Sequence, residues 1–167
     1  MASSFLGEYS QKVDGKGRMS IPADFRAVLA EGDPDYPDKP LPRIIINYGP
    51  HLKGNLRAYT IEAMNEIEAG IKRMPQGSEN RKIASFVYLA KTWRSEIDKD
   101  GRIVLPQMLR EQIGLDGEAR MIAMGEYFEI WNAETYAGSD GAEIEAWLAQ
   151  QGPNFDPLTL VFPQEGG

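Results

Sequence analysis

Residues 13–26 read VDGKGRMSIPADFR and residues 97–110 read IDKDGRIVLPQMLR, so the second stretch repeats the first at a constant offset of 84. Asp, Gly, Arg, Pro and the closing Arg are identical in register, and four further positions pair one apolar residue with another. Average residue frequencies would give about one identity over such a window by chance. The chain is therefore predicted to contain two copies of one supersecondary unit.

Each copy predicts a hairpin followed by a short helix. Residues 8–13 and 92–97 mix aromatic and β-branched residues with polar ones, which is typical of half-buried strands. The Asp- and Gly-rich stretch that follows predicts a tight turn, because Gly accepts positive φ and an Asp side chain can bond the backbone two residues on. Pro22 and Pro106 then suit the first turn of a helix.

The repeat extends beyond this motif to a whole half. Alternating apolar residues predict a second hairpin and a helix after each copy, and the helices begin at Thr60 and Asn132. Further helices are predicted for residues 79–90 and 142–150. The chain is thus divided into a first half at 5–74, a connecting helix at 75–91, a second half at 92–137, and a C-terminal helix with an irregular tail at 138–167.

One segment of the first half has no helix or strand pattern. Gly32–Pro42 is rich in Pro and Asp, and we predict an exposed loop there. Few groups near Asp33, Asp35 and Asp38 in the sequence could bury them or shift their pKa, so solvated carboxylates are expected rather than a catalytic pair. Shortening the loop is expected to change stability little, because loop-closure entropy varies slowly with length.

Cations concentrate at the predicted hairpin tips. Lys16 and Arg18 lie in or beside a projecting Gly-rich turn, with Lys12 just before it, and such cations suit phosphates and base edges. The alternative is structural: Asp14 pairs with Arg18 across the turn, and a surface pair of this kind contributes only about 0–1 kcal/mol. Both roles can hold together, because a carboxylate can fix one edge of the guanidinium while its other donors face DNA.

Asp-x-x-x-Arg occurs as Asp14…Arg18 and again as Asp98…Arg102, each within the longer repeated stretch. Together with YFEIW at residues 127–131, these motifs resemble the MraZ family over most of residues 5–136. Asp100 departs from the pattern, because the first copy has Lys16 there. The resemblance implies an α+β fold with tandem AbrB-like swapped-hairpin β units, a pseudo-symmetric β core and flanking short helices.

The same resemblance implies a function, partners and site residues. It implies a DNA-binding transcriptional regulator, usually a repressor, acting on short direct repeats upstream of its own division and cell-wall gene cluster. The implied partners are double-stranded DNA and further copies of the chain in a closed ring, without a cofactor, a metal or a membrane, in the cytoplasm at the nucleoid. The candidate DNA-binding residues are Lys12, Asp14, Lys16, Arg18, Asp98, Lys99 and Arg102.

The two tips differ in charge, and the helices beside them hold a repeated arginine. The second tip has two carboxylates where the first has one, so it should repel phosphate more strongly and bind DNA more weakly. Arg26 and Arg110 lie within the predicted helices beside core residues. They either pair within the fold or contact DNA, and the sequence leaves both open.

The net charge of −7 is unevenly distributed. Residues 1–110 contain 17 Lys and Arg against 14 Asp and Glu, whereas residues 111–167 contain 1 against 11. A net-acidic protein can still bind DNA through a local basic patch, with a sharper salt dependence. An AbrB-like antitoxin that binds a toxin through the acidic C-terminal region remains an alternative.

Other classes of protein are disfavoured. The chain has no Cys, which excludes a disulfide framework and suits a reducing compartment. No apolar run approaches the roughly 18 residues of a membrane span. His51 alone makes neither a metal site nor a triad, and Gly15-x-Gly17 lacks both the third glycine and the following helix of a dinucleotide loop. An enzyme is therefore not expected.

Overall fold

The computed structural model describes residues 3–138 and 140–163. The chain divides into two compact units, Met1–Tyr136 and Ala137–Gly167. The strands are β1 (Glu8–Lys12), β2 (Arg18–Ser20), β3 (Arg43–Asn47), β4 (Asn55–Tyr59), β5 (Thr92–Glu96), β6 (Arg102–Val104), β7 (Glu118–Ala123) and β8 (Tyr127–Asn132). The helices are α1 (Ala23–Glu31), α2 (Ile61–Lys72), α3 (Glu79–Ser85), α4 (Gln107–Gln112), α5 (Asp140–Ala149) and α6 (Leu158–Val161). The α+β class with antiparallel strands and short helices is confirmed.

Six strands form one antiparallel sheet in the order β1-β7-β8-β4-β3-β5. The edge strands β1 and β5 are the same segment of the two copies, and the hairpins β7–β8 and β3–β4 fill matching places between them. Each edge strand pairs with the hairpin of the other half, β1 with β7 and β5 with β3. Arg57 faces Glu129 where the two hairpins meet. The sheet is thus symmetric about its centre in strand order and pairing.

A separate two-stranded ribbon joins the two copies of the repeat. The hairpin predicted within each copy is therefore confined to its turn, because the strands on either side of the turn pair with other strands and not with each other. In this β2–β6 ribbon Arg18 faces Val104, Met19 faces Ile103 and Ser20 faces Arg102. Met19 and Ile103 are the same position of the two copies, so a local two-fold axis passes between them. Hydrogen bonds from Ile21 N to Gly101 O (2.9 Å) and from Leu105 N to Gly17 O (2.8 Å) continue the pairing. Each ribbon strand therefore ends against the turn of the other copy.

The main core lies between the sheet, the ribbon and helices α1 and α4. Phe5, Phe25 and Phe128 pack together with ring centroids 4.5 to 5.5 Å apart. Met19 and Ile103 are almost fully buried in the same cluster, which fixes the inward face of the ribbon. Burying such side chains stabilises the fold by about 1.5–3 kcal/mol each. The other face of the sheet is covered in the first half by α2, through Ile61 and Met64.

The helix starts follow from local sequence. The N–H of Arg26 donates to the carbonyl of Pro22, and that of Arg110 to the carbonyl of Pro106, at 2.9 and 3.1 Å, so each proline precedes the first helical turn as predicted. Thr60 caps α2, because its hydroxyl accepts the N–H of Ala63 at 3.0 Å. The boundaries that divide the chain at residues 74, 91 and 137 stay predictions.

The prediction for Gly32–Pro42 is wrong for Asp33. This carboxylate is 3% exposed and accepts from the Arg43 side chain at 2.7 and 3.0 Å and from the Arg43 backbone N–H at 3.0 Å. The hydrogen bond from the Arg43 side chain lowers the pKa of Asp33. The compensating cation is not a neighbour within the loop but the first residue of β3, so the loop sequence alone did not reveal it. Asp35 and Asp38 are exposed, as expected.

Two predicted helices differ from the observed ones. The α-helical geometry that begins at Glu79 ends at Ser85, and Phe86–Ala90 forms a π-helical turn. The buried amide of Asn47 donates to the carbonyls of Val87 (2.7 Å) and Lys91 (2.8 Å), which holds this turn. After Asn132 the chain first makes a turn, in which the Asn132 side-chain oxygen accepts the N–H of Glu134, and only then a short 3-10 helix, Tyr136–Gly138.

The C-terminal unit also departs from its prediction. Helix α5 runs from Asp140 to Ala149, close to the predicted 142–150. The tail predicted to be irregular contains one further helical turn, α6. Residues 164–167, the end of that tail, lie outside the described residues.

Candidate nucleic-acid interface

The first tip, residues 14–18, is built around the carboxylate of Asp14. Its Oδ1 accepts the N–H groups of Lys16 (3.0 Å) and Arg18 (2.9 Å), and its Oδ2 accepts from Arg18 Nε at 2.5 Å. The backbone hydrogen bond from Arg18, followed by that from its guanidinium, lowers the pKa of Asp14 to about 2. Gly17 has φ of +87°, which the turn requires. Asp14 therefore folds the turn and orients Arg18 at once.

The second tip, residues 98–102, has the same backbone plan. Asp98 Oδ1 accepts the N–H groups of Asp100 and Arg102, both at 2.9 Å. The hydrogen bond from the Arg102 N–H is the largest cause that lowers the pKa of Asp98. The side chain of Arg102 differs from that of Arg18, because its Nε lies 3.8 Å from Asp98 and its Nη2 lies 3.3 Å from Asp100. Arg102 is thus shared between two carboxylates.

The ribbon brings the two arginines to one surface. Side chains alternate along a strand, and Met19 and Ile103 point inward, so Arg18 and Arg102 lie on the outward face. The side chain of Arg18 is 46% exposed and that of Arg102 is 40% exposed. They occupy diagonal positions across the local two-fold axis, since Arg102 faces Ser20. The spacing of 84 residues gave no indication that the two side chains would be neighbours.

Sequence reasoning missed two further members of this outward face. Ser20 and Val104 are the same position of the two copies, and both are exposed, Val104 by 54%. A small hydroxyl on one side and an exposed apolar side chain on the other make the face chemically asymmetric. The sequence indicated that these two residues face outward, because each lies next to a core position in a three-residue strand.

The predicted lysines surround this face without entering it. Lys16 and Lys99 are exposed within the two turns, and Lys12 is exposed at the end of β1, beside Glu118 of β7. The structure therefore places all seven predicted residues at the two tips or at the strand leading into the first. The three lysines can supply mobile positive charge around the two oriented guanidinium groups.

The side chains of Arg26 and Arg110 pack against the turns of the two tips. Arg110 donates from Nε to the carbonyl of Leu105 at 3.1 Å, and its Nη1 lies 3.5 Å from the carbonyl of Gly15. A Cβ added to Gly17 would lie 2.9 Å from Arg110 Nε, and one added to Gly101 would lie 2.5 Å from Arg26 Nη1. Each arginine therefore packs beneath the tip of the other copy, and the two glycines leave room for it.

Across the described part of the chain, no three His, Cys, Asp or Glu side chains are arranged to hold a metal ion. The ring of His51 is engaged by Asn47, whose Oδ1 lies 2.7 Å from Nε2. Within residues 3–138 and 140–163, every helix is too short or too polar to cross a bilayer.

Comparison with known proteins identifies the family. The model of the family described as "MraZ protein, putative antitoxin-like" matches residues 4–34 and 88–139, which contain both tips and the ribbon. A relative from Ruegeria pomeroyi named "Transcriptional regulator MraZ" is 43% identical over 161 residues, covering 96% of each chain.

More distant relatives carry the same name. A protein from Cereibacter sphaeroides is 37% identical over 168 residues, covering 96% of this chain and 97% of the relative. Another, from Acetivibrio thermocellus, is 32% identical over 145 residues, covering 85% and 92%. Both are named "Transcriptional regulator MraZ". The chain therefore belongs to the MraZ family.

Proposed function

We propose that this chain is a sequence-specific DNA-binding transcriptional regulator. It acts as a repressor on short direct repeats upstream of its own division and cell-wall gene cluster, in the cytoplasm at the nucleoid, without a cofactor. The observation that carries the proposal is the ribbon, which presents Arg18 and Arg102 at diagonal positions on one outward face. The names of the relatives support the regulatory role.

The geometry of the ribbon suits the major groove. That groove admits a two-stranded β-ribbon, and an arginine fork there can bond both acceptors of a guanine. Arg18 keeps its two Nη groups for this purpose, because Asp14 engages Nε. Each edge strand pairs with a strand of the other half, β1 with β7 and β5 with β3. This exchange of edge strands supports an AbrB-like swapped-hairpin arrangement. The exchange holds the two tips in a fixed relation to each other.

Local charge outweighs net charge at this surface. Asp14 and Asp98 already accept backbone hydrogen bonds, so part of their negative charge is offset before DNA approaches. Lys12, Lys16 and Lys99 add charge that phosphates can reach. Because the chain as a whole is acidic, binding must depend on these few contacts and respond strongly to salt.

Several copies of the chain acting together would make weak contacts effective. We propose a homo-oligomer, closed as a ring, that offers one pair of tips per copy to successive direct repeats. Linked contacts gain affinity through effective concentration, without any new contact at each site. Specific binding then requires both the tips and the assembly.

The direct test is binding to the DNA immediately upstream of the chain's own gene. Fluorescence anisotropy with that duplex and with a scrambled duplex of equal length should show tighter binding to the first. The logarithm of the binding constant should fall with the logarithm of salt concentration by about 0.9 for each phosphate neutralised. Equal affinity for both duplexes, or a binding constant unchanged by salt, would contradict the proposal.

A further inference from the structure

The C-terminal unit exposes several large apolar side chains. None of the described side chains between residues 138 and 163 is buried. Seven large apolar side chains there are between 43% and 71% exposed: Ile144, Trp147, Leu148, Leu158, Leu160, Val161 and Phe162. Trp147 and Phe155 contact each other, with ring centroids 5.4 Å apart, but no core surrounds them. Apolar surface of this kind marks an interaction site.

This apolar surface is embedded in negative charge. Residues 137–167 contain five Asp and Glu and no Lys or Arg. On α5, Ile144, Trp147 and Leu148 are spaced by three and one residues, so they share one face of the helix. Glu143 and Glu145 flank that face in sequence. A partner should therefore present apolar side chains beside positive charge, which argues against DNA.

The first unit carries a surface with that character. Ile83, Phe86 and Leu89 are 54%, 54% and 41% exposed along α3 and the π-helical turn, and we call them the exposed helix face. Residues 72–91 contain five Lys and Arg against one Glu. Lys91 Nζ lies 5.1 Å from the centre of the Phe86 ring, so a cation adjoins the apolar side chains directly.

We infer that the C-terminal unit of one copy docks on the exposed helix face of a second copy. The two surfaces are complementary in charge and share exposed apolar side chains, and neither has apolar cover of its own. They are also different surfaces, so the contact is head-to-tail, and a head-to-tail contact builds rings when its rotation closes. The inference rests on the self-assembly proposed above and names the surfaces that produce it.

The test uses two full-length double variants. Ile144→Asp with Trp147→Asp disables the C-terminal unit, and Ile83→Asp with Phe86→Asp disables the exposed helix face. Mass photometry without DNA should show the wild type as a large assembly and each variant alone as monomers, with assembly weakened by roughly tenfold or more. Leu6→Asp is the control, because Leu6 is 74% exposed outside both surfaces and should leave the assembly unchanged.

Mixing the two variants gives the sharper result. The variant with a disabled C-terminal unit retains an intact exposed helix face, and the other variant retains an intact C-terminal unit. One docking contact can therefore form between the two variants, and no further copy can be added. An equimolar mixture should give a one-to-one pair and nothing larger. Monomers in the mixture, or assemblies of wild-type size in either variant alone, would overturn the inference.

A charge exchange controls for the case in which the aspartate variants misfold. Lys82→Glu should weaken assembly, and adding Glu143→Lys in the same chain should restore part of it. No recovery, with circular dichroism unchanged, would contradict the docking. A wild type that stays monomeric and forms a stoichiometric complex with a toxin-like protein would overturn it in favour of the antitoxin alternative. Variants that assemble like the wild type would overturn the docking alone, whereas a monomeric wild type would overturn the proposed ring as well. DNA affinity is measured separately and tests the tips.

Discussion

At the first tip Asp14 accepts hydrogen bonds from the turn backbone and from the side chain of Arg18. At the second tip Asp98 accepts the equivalent backbone hydrogen bond, but the side chain of Arg102 lies closer to Asp100. The backbone hydrogen bonds are equivalent in the two tips. The side chains around them differ, with Gly15 and Lys16 in the first turn and Lys99 and Asp100 in the second. The comparison teaches that the turn geometry belongs to the fold, whereas the proposed affinity for DNA would depend on the side chains that the geometry leaves free.

The segments that follow the two short helices differ more. After α1 the chain makes an 11-residue excursion, Gly32–Pro42, before β3, whereas after α4 it reaches β7 within five residues. Arg43 opens β3 and binds the buried Asp33, but Glu118, at the corresponding place in β7, is exposed. The first half therefore contains an ion pair that the second half does not need.

The largest effect on stability should come from breaking that pair. Arg43→Ala leaves Asp33 buried with backbone N–H partners alone, and we expect the free energy of unfolding to fall by about 1–3 kcal/mol. Glu118→Ala, the matched change in the second half, should stay within about 0.5 kcal/mol of the wild type. Urea unfolding followed by circular dichroism measures both, and equal effects would remove the asymmetry between the halves.

A charge exchange between the tips should reverse their ranking. Lys16→Asp with Asp100→Lys keeps the net charge and moves the extra carboxylate to the first tip. We expect Arg102 to become the more important arginine, because the carboxylate 3.3 Å from its Nη2 is removed. Lys16→Asp alone should also reduce the salt slope by about 0.9 for each phosphate that is no longer neutralised. Anisotropy titrations that rank the arginines as before would contradict this.

A smaller effect concerns acid. The pKa of Asp33 is lowered in the folded state, so its carboxylate stabilises the fold above its ordinary pKa of about 3.9 and loses that contribution as pH falls through the folded value. Stability should therefore be level above about pH 5 and decline below about pH 4. Thermal unfolding across this range should show a shallower decline for Arg43→Ala, while Glu118→Ala should follow the wild type.

Much of this structure could be predicted from the repeat. An offset that aligns Asp, Gly, Arg and Pro determines two turns and two helix starts, because each of these residues restricts the backbone locally. The capping of α2 by Thr60 was predictable for the same reason. The tip residues followed from placing cations on a projecting turn.

Contacts between distant segments could not be predicted in this way. The neighbouring positions of Arg18 and Arg102 depend on β2 pairing with β6, which are more than 80 residues apart. Asp33 was misjudged because its partner lies beyond the loop. The spacing of Ile83 and Phe86 predicted a helix but not the exposure of their side chains, because helical spacing cannot distinguish a core face from a docking surface. Burial and strand pairing depend on tertiary structure and are not determined by local sequence.

The most direct test of the central claim, that the tips bind DNA and the first binds more strongly, compares Arg18→Ala with Arg102→Ala. Each change removes an exposed side chain, so folding and assembly should survive, as circular dichroism and light scattering would show. Arg94→Ala serves as the control, because Arg94 is exposed on β5, outside residues 14–18 and 98–102.

On the upstream repeats, fluorescence anisotropy should show that Arg18→Ala weakens binding by about 1–3 kcal/mol at each tip that engages DNA, and specific binding nearly vanishes because avidity is reduced as well. Arg102→Ala should bind more weakly than the wild type and more tightly than Arg18→Ala, and Arg94→Ala should bind as the wild type does. Unchanged binding in both tip variants would contradict the account. Loss of binding in Arg102→Ala alone would show that the second tip is the stronger one.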